Sequence, residues 1–98
     1  MSLVEFHRLA AREFREARAW YAKRSPETAE RFTHAVDASV TRILSDPVAL
    51  PIVLRNTRSV RVKRFPYRLV FEQRPQQRIL ILAVAHTSRR PDYWRRRT

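Results

Sequence analysis

Residues 58–86 carry the clearest pattern in the chain, because hydrophobic and polar positions alternate there in successive runs. In the first run Val60 and Val62 share one face, while Arg61 and Lys63 share the other. This period of two is the pattern of a β-strand that is buried on one side. We therefore predict a strand with an apolar face and a cationic face.

Two further strands are predicted after the first, each preceded by a proline. The second strand has Arg68 and Glu72 on its polar face. Its apolar face carries Tyr67, Leu69 and Phe71. The third run, Ile79 to Ala85, is apolar on both faces, so we predict a central strand that is covered on each side.

The turns between these runs predict the register of the strands. A two-residue turn at 65–66 and a type I turn at 74–77, with Pro75 at its second position, fix the pairing. The predicted pairs are Val62 with Leu69, Val60 with Phe71, Phe71 with Leu80, Leu69 with Leu82, and Tyr67 with Val84. This register places Leu82 on the face that helices cover, in contact with both helices.

The first half of the chain predicts a short strand and two helices. Leu3 to Phe6 is a strand candidate for a sheet edge, and residues 8–24 have helical periodicity. Ser25-Pro26-Glu27 then combines an N-cap, a proline at the first helical position and an acidic first turn, so a second helix starts at once. It is predicted to run to about Leu44, where Asp46-Pro47 stops it. The apolar stripe of the first helix is Ala10, Phe14, Ala17 and Tyr21.

These elements predict an α+β domain over residues 1–98, in the order β-α-α-β-β-β. Its antiparallel sheet carries a two-helix hairpin on one face, and residues 48–57 form a loop. A basic tail follows at about 87–98. The opposite face of the sheet is cationic through Arg61, Lys63 and Arg68.

Net charge is the compositional feature that most restricts the class of binding partner. Lys and Arg outnumber Asp and Glu by 21 to 9, a net charge of +12. Such an excess predicts a polyanionic partner, either nucleic acid or a protein with an acidic surface. The alternative is a solvated basic face without a specific target.

Absent residue types exclude several classes of site. The chain has no Cys and no Gly, which excludes disulfides, thiolate metal sites and Gly-rich phosphate loops. It also lacks an apolar run of ~18 residues, the length that would span a membrane. We therefore expect a cytoplasmic protein with no cofactor and no membrane contact.

The whole chain resembles the RelE/ParE toxin superfamily. The most specific similarities are Arg64-Phe65-Pro66-Tyr67-Arg68 and the ending His86-x-x-Arg89-Arg90-Pro91-x-Tyr93-Trp94. The resemblance implies the toxin of a bacterial type II toxin–antitoxin pair. ParE-like members inhibit DNA gyrase by direct contact, and RelE-like members cleave mRNA in the ribosome. The ending is closer to the ParE side.

The two activities require different residues. RNA cleavage needs an acid, a base and a cation near the phosphate, and the candidates for these roles are Arg61, Lys63, Arg68, His86, Arg90 and Tyr93. No carboxylate is expected on the cationic face except Glu72 at its far end. For His86 a structural role, capping its strand and orienting the tail, is favoured over that of general base. The nuclease hypothesis is therefore incomplete.

Binding surfaces are predicted in the tail and on the first helix. The candidate target-binding residues are Arg89, Arg90, Tyr93, Trp94, Arg95 and Arg96, because arginines among aromatic residues bind nucleobases or acidic proteins. An acidic antitoxin that folds on binding is expected along the helical hairpin and at the sheet. Its candidate contacts are Phe14, Arg18 and Trp20.

One further cluster has the spacing of metal ligands. Glu30, His34 and Asp37 lie at helical positions i, i+4 and i+7. Their face lies opposite Phe32 and Val36, so it is predicted to be solvent-exposed. Ordinary surface charge explains the cluster, and we predict no metal site.

Overall fold

A computed structural model describes residues 3–97 as an α+β fold with two helices packed on one face of a sheet. Residues 1, 2 and 98, the ends of the predicted domain and tail, lie outside the described residues. The elements are β1 (Leu3–Phe6), α1 (Arg8–Arg24), α2 (Pro26–Ser45), a 3₁₀ turn (Pro47–Ala49), β2 (Ile52–Leu54), β3 (Thr57–Val62), β4 (Tyr67–Arg74) and β5 (Arg78–His86). The spatial order of the strands is β1-β5-β4-β3-β2.

The helical hairpin is confirmed, and local chemistry explains its corner. The Ser25 side chain accepts a hydrogen bond from the Thr28 N–H at 3.2 Å, with Pro26 at the first helical position. At the other end of α2, the Asp46 N–H donates to the Arg42 carbonyl. Because each helix end has its own partners, α1 and α2 reverse direction within a single residue. Neither helix in residues 3–97 combines the length and the apolar composition needed to cross a membrane.

The sheet has one strand more than predicted, and it is mixed. β1 lies at the predicted edge, but it pairs parallel to β5, whereas the other neighbouring strands pair antiparallel. β2 occupies residues that were predicted as a loop. It has only three residues and follows Pro51, so no periodicity marks it. Arg55, with φ of 50°, makes the tight turn that returns the chain to β3.

The β3–β4 register differs from the prediction by two residues. Val62 pairs with Tyr67 and Val60 with Leu69. The connection is a four-residue loop at 63–66 rather than a two-residue turn, and Arg64 adopts a φ of 71° within it. Since the difference is an even number of residues, the paired side chains of β3 and β4 keep their predicted faces.

The β4–β5 register was wrong by one residue from the turn onward and by a second residue beyond a bulge in β5. Val70 pairs with Ala83 and Phe71 with Ile81, so Leu82 has no partner in the ladder. The preceding turn also differs from the predicted type I turn, since Gln76 and Gln77 both have positive φ near 60°. That combination is the requirement of a type I′ turn, which matches the twist of a hairpin.

Residues 79–82 of β5 lie on the faces opposite to those predicted, whereas Ala83 and Val84, beyond the bulge, lie on their predicted faces. Ile79 and Ile81 face the helices, in the same buried cluster as Phe32 of α2. Leu82 and Ala83 lie in a second cluster on the other side of the sheet. Leu82 is fully buried, but it does not pack against the helices as predicted, because an extra residue in one strand shifts its side-chain alternation.

The second cluster is closed by the tail. Trp94 is only 3% exposed and packs with Val70, Leu82 and Ala83. The tail is therefore a docked segment that covers the central strands, rather than a solvated end. Both faces of β5 are covered, as its apolar composition predicted.

We expect Leu82→Ala to destabilise the protein by ~2–5 kcal/mol, as large-to-small changes in a core do. It should also shift the Trp94 emission to longer wavelengths, because Leu82 shares a buried cluster with that ring. Urea unfolding and fluorescence in a Trp20→Phe background measure the two effects.

Ile81→Ala is the matched control, since Ile81 is equally buried on the helix side. It should lose similar stability and leave the Trp94 emission in place. The reverse result, a spectral shift for Ile81→Ala alone, would show that the assignment of the two faces is wrong.

Candidate functional site

The tail is anchored by one carboxylate, that of Glu13 on α1. Its Oε1 accepts a hydrogen bond from Arg97 Nη1 at 2.9 Å and its Oε2 from Arg97 Nη2 at 3.0 Å. The Tyr93 hydroxyl donates to Oε2 at 2.7 Å. The side chains of Glu13 and Arg97 are each 12% exposed. This is a bidentate, largely buried ion pair, the arrangement that best compensates desolvation of the two charges.

The same carboxylate also completes the sheet. β1 ends opposite Ile81, where the His7 N–H donates to the Ile81 carbonyl at 2.8 Å. Beyond that point the Val84 N–H donates to Glu13 Oε1 at 3.0 Å, and Arg97 Nη1 donates to the Leu82 carbonyl at 3.2 Å. Two side chains therefore bond the edge of β5 that β1 leaves open.

Sequence reasoning missed Glu13, although one signal marks it. Ala10, Glu13 and Ala17 follow helical spacing on the buried side of α1, so a carboxylate stands inside an apolar stripe. A buried carboxylate needs a partner, and five tail arginines are available in the sequence. Which of these arginines pairs with Glu13 depends on how the tail folds. The tail sequence has no periodicity that would predict this.

Tyr93 is held as a protonated donor. Burial raises the pKa of its hydroxyl well above the ordinary value, and the hydrogen bond to the Glu13 carboxylate raises the pKa further. The ring also carries Arg89, whose guanidinium carbon lies 3.9 Å from the ring centroid. Tyr93 therefore contacts Glu13 through its hydroxyl and Arg89 through its ring. The hydroxyl donates its hydrogen bond within the fold.

The arginines of the tail divide into one that is held by the anchor and an exposed set. Arg97 pairs with the anchor Glu13. Arg89 is half-exposed, with Nη1 3.5 Å from Glu13 Oε2. Arg95 lies 3.5 Å from Asp92 at the surface. The predicted target-binding residues whose side chains are exposed are Arg89, Arg90, Arg95 and Arg96.

The two aromatic residues predicted to bind a target do not form a free surface. Trp94 is buried against the sheet, so its ring is not exposed to a target in this structure. Tyr93 is half-buried and bonded to Glu13. A ring as large as that of Trp94 removes more apolar area from water by docking on Leu82 and Val70 than it would in a solvated tail.

The nuclease candidates do not come together. Arg61 and Arg68 are direct cross-strand partners on the side of the sheet away from the helices. His86 packs edge-on against Tyr67, with ring centroids 5.0 Å apart, on the helix side. Lys63 follows β3 and lies in the four-residue loop beside α2, not on the predicted cationic face. The sheet thus separates the histidine from the paired arginines.

His86 makes local hydrogen bonds at the end of β5. Its Nδ1 is 3.0 Å from the Ser88 backbone N–H, which donates to it, and 2.7 Å from the Ser88 hydroxyl. The His86 carbonyl accepts from the Arg89 N–H at 3.0 Å. The residue therefore ends β5 and turns the chain into the tail.

The predicted antitoxin contacts differ in availability. Phe14 is half-buried and stacks on Phe32 at 5.7 Å, so it belongs to the core rather than to a free surface. Arg18 is exposed and donates to the Thr33 hydroxyl at 3.1 Å. Trp20 is 52% exposed, with the Arg24 guanidinium 3.5 Å above its ring.

Trp20 borders an open cleft of about 450 Å³ between α1 and the end of β5. Glu13, Tyr67 and His86 line its inner wall, and Arg89 stands at its mouth. The cleft joins the α1 surface to the start of the tail, so a bound partner there would contact both.

Glu30, His34 and Asp37, the trio with metal-like spacing, are all exposed on α2.

The chain belongs to the ParE toxin family of type II toxin–antitoxin systems, parDE, whose family model matches residues 4–91. No curated protein was found to match the chain. As a member of this family the protein is a toxin of a type II system, and its family implies an antitoxin partner. The match includes Glu13 and ends before Tyr93, Trp94 and Arg97.

Glu13→Gln should destabilise the protein by ~3–5 kcal/mol, because removing one partner leaves Arg97 buried without its countercharge. The tail should also detach more often, so trypsin should cleave at its arginines at lower enzyme concentration. Urea unfolding and limited proteolysis measure the two effects.

Glu16→Gln is the control for that experiment. Glu16 pairs with Arg12 at 3.5 Å on the solvent-exposed side of α1, and such a pair contributes ~0–1 kcal/mol. Equal losses for the two variants would contradict the role of Glu13 as the anchor.

Alkaline titration tests the environment of the tyrosines. Burial raises the pKa values of Tyr21, Tyr67 and Tyr93 above the ordinary value. Their contribution to stability is therefore complete below the unfolded pKa of about 10 and is lost as the pH rises through the folded pKa. We expect phenolate absorbance to appear at higher pH in the folded protein than in urea, and Tyr93→Phe should remove the last step. Coincident folded and unfolded titrations would contradict this.

Proposed function

We propose that this ParE-family toxin inhibits DNA gyrase by direct protein contact through the exposed arginines of its docked tail. The observation that carries the proposal is the arrangement of the tail. Its aromatic residues and Arg97 are turned inward, while Arg90, Arg95 and Arg96 point to solvent. A rigid backbone that presents several cations loses less entropy on binding than a free tail would.

The separation of the proton-transfer candidates supports an inhibitor over a nuclease. His86 lies on the helix side of the sheet, whereas Arg61 and Arg68 lie on the other side. The Tyr93 hydroxyl is bonded to Glu13, and its raised pKa opposes transfer of its proton. General acid–base catalysis needs such groups within hydrogen-bond reach of one reacting bond. The arrangement therefore favours binding chemistry.

The antitoxin in this proposal is an acidic segment that folds on the toxin. The net charge of +12 favours an acidic partner. The exposed indole of Trp20, beside the cleft at the end of β5, supports a contact on α1. Arg18 on the same helix adds a cation, whereas Phe14 is removed from the proposed contact surface because it packs in the core.

The sharpest test replaces exposed arginines and leaves the anchor intact. We expect Arg90→Ser/Arg95→Ser/Arg96→Ser to weaken gyrase inhibition at least about tenfold. Tenfold corresponds to about 1.4 kcal/mol, so the loss of any two of the three contacts, at about 1 kcal/mol each, is enough. Supercoiling of plasmid by purified gyrase gives the readout. Substitution is preferable to truncation, because truncation would also remove Trp94 and Arg97 from the core.

Arg15→Ser/Arg42→Ser/Arg78→Ser is the matched control, with the same loss of charge at exposed positions outside the tail. It should keep gyrase inhibition within about threefold if the contact is specific rather than a general charge effect. Equal loss in both triple variants would reject the tail as the binding surface.

The ribosome-dependent mRNA endoribonuclease is the alternative outcome. His86→Ala should leave growth inhibition largely intact, provided that circular dichroism shows a native fold, because an inhibitor that acts by binding needs no general base. In a nuclease that used His86 as its general base, the same change would lower the rate by ~10²–10⁴-fold. If His86→Ala abolishes toxicity and the parent cuts mRNA on stalled ribosomes, the gyrase proposal is wrong.

A further inference from the structure

Hydrogen-bond donors without a protein partner lie in the cleft beside Trp20. The cleft measures about 450 Å³, and Tyr21, Tyr67 and His86 are among the residues that line it. Of the three tyrosine hydroxyls in residues 3–97, that of Tyr93 is the one bonded to a protein group. No tyrosine hydroxyl in the same residues is both buried and without a partner. The other two hydroxyls therefore reach solvent, and the cleft is the opening that both residues line.

The two free hydroxyls lie close to each other. Burial raises the pKa of the Tyr67 hydroxyl, and the nearby Tyr21 and Glu13 raise it further. Burial also raises the pKa of Tyr21. Both groups are therefore protonated at neutral pH. Together they can donate two hydrogen bonds to the same ligand.

His86 adds a third donor on the same side of the cleft. Its Nδ1 accepts from the Ser88 backbone N–H at 3.0 Å, so the proton of the neutral ring lies on Nε2. Within residues 3–97 both hydrogen bonds of the ring use Nδ1, which leaves Nε2 for a ligand. The ring packs edge-on against Tyr67, with centroids 5.0 Å apart. The two residues therefore form one wall with a fixed orientation.

Trp20 supplies a flat apolar surface at the border of the cleft. The Arg24 guanidinium lies 3.5 Å from the centroid of its ring, on one face, yet the residue is 52% exposed. Most of the other face is therefore open. Tyr21 meets the indole edge-on at 5.1 Å and fixes its orientation. A flat ring can stack on such a face, which adds to the burial of apolar area.

The charges around the cleft favour an anion. Its two carboxylates already have partners, since Glu13 pairs with Arg97 at 2.9 Å and Glu16 with Arg12 at 3.5 Å. Arg89 stands at the mouth with a side chain that is 53% exposed. The net charge of +12 also attracts anions to the protein. A cationic ligand fits less well, because it would meet hydrogen-bond donors and carboxylates that are already compensated.

A long polyanion fits the cleft less well than a small one. Single-stranded nucleic acids bind along a cationic groove in which successive bases stack on aromatic rings. This cleft offers one open ring, that of Trp20, and one arginine at its mouth. Its volume lies within the roughly 300–1,000 Å³ that is usual for sites of small molecules.

We propose that this cleft binds a small planar aromatic anion, a flat ring of one or two fused cycles that carries a carboxylate or a phosphate. The ring of the ligand stacks on Trp20. Its anionic group accepts hydrogen bonds from Tyr21 and Tyr67, with His86 and Arg89 as further donors. The inference goes beyond the proposed function, because neither the target nor the antitoxin takes part in it. A bound ligand would compete with any protein that contacts Trp20.

A series of three compounds tests the proposal with the full-length protein. Naphthoate has the flat ring and the anion, naphthalenemethanol lacks the anion, and decalin carboxylate lacks the flat ring. We expect isothermal titration calorimetry to show that naphthoate binds at least about tenfold more tightly than either of the others. Equal affinities, or no binding of naphthoate at millimolar concentration, would overturn the proposal. Comparison of naphthoate with naphthyl phosphate identifies the preferred anionic group.

Two variants locate the site. Tyr21→Phe/Tyr67→Phe removes both free hydroxyls and no internal hydrogen bond, so the fold should be unchanged. It should weaken naphthoate binding at least about tenfold. Trp20→Ala should have a similar effect, because it removes the stacking surface. Parental affinity in the double tyrosine variant would show that the cleft is not the site.

Arg89→Gln and Arg42→Gln separate a local contact from the effect of net charge. Each loses one positive charge, but Arg42 is exposed on α2, outside the cleft. Arg89→Gln should weaken naphthoate binding at least about threefold, whereas Arg42→Gln should bind like the parent. An equal loss in both variants would overturn the proposal. So would a single-stranded oligonucleotide that binds more tightly than naphthoate and loses affinity in the double tyrosine variant, because the cleft would then be a nucleic-acid site.

Discussion

The buried carboxylate of Glu13 links every part of the structure that surrounds the tail. It accepts from the β5 backbone at Val84, from the Tyr93 hydroxyl and from both terminal nitrogens of Arg97. A lone carboxylate at 12% exposure would be costly, so the anchor is stable only when the tail is docked. Docking in turn covers Leu82 with Trp94. One interaction therefore joins the helix, the open sheet edge and the second core.

That dependence explains how a strongly basic segment can be ordered. The net charge is +12, and a run of arginines repels itself in solution. The fold uses Arg97 inside, places Arg89 over the Tyr93 ring and leaves the others at the surface. The exposed cations then stand at fixed positions, a condition for specific recognition of an acidic surface. Arg61 and Arg68 are a further pair of exposed cations at fixed positions, since they face each other across β3 and β4.

Much of the fold could be predicted because its signals are local. Ser25-Pro26 set the corner between the helices, and alternation in the strands set their faces. What failed depends on single residues that alternation cannot reveal: the bulge at Leu82 moved that side chain to the other face, and a left-handed Arg64 lengthened the hairpin loop in a chain without glycine. The candidate site was half-predicted, since the tail was identified but its anchor Glu13 was not.

Glu13 and two of the exposed tail arginines, Arg95 and Arg96, lie in different parts of the chain relative to its family match. The ParE family match covers residues 4–91, so it contains Glu13, whereas Tyr93, Arg95 and Arg97 follow it. The conformation of the tail therefore depends on a residue inside the family region, whereas its exposed arginines are divided: Arg89 and Arg90 lie inside the match, and Arg95 and Arg96 follow it. A change in Arg95 or Arg96 should leave the fold the same, because surface substitutions away from packed contacts have small effects on stability. If the tail binds the target as proposed, its exposed charges can therefore change without a change of fold.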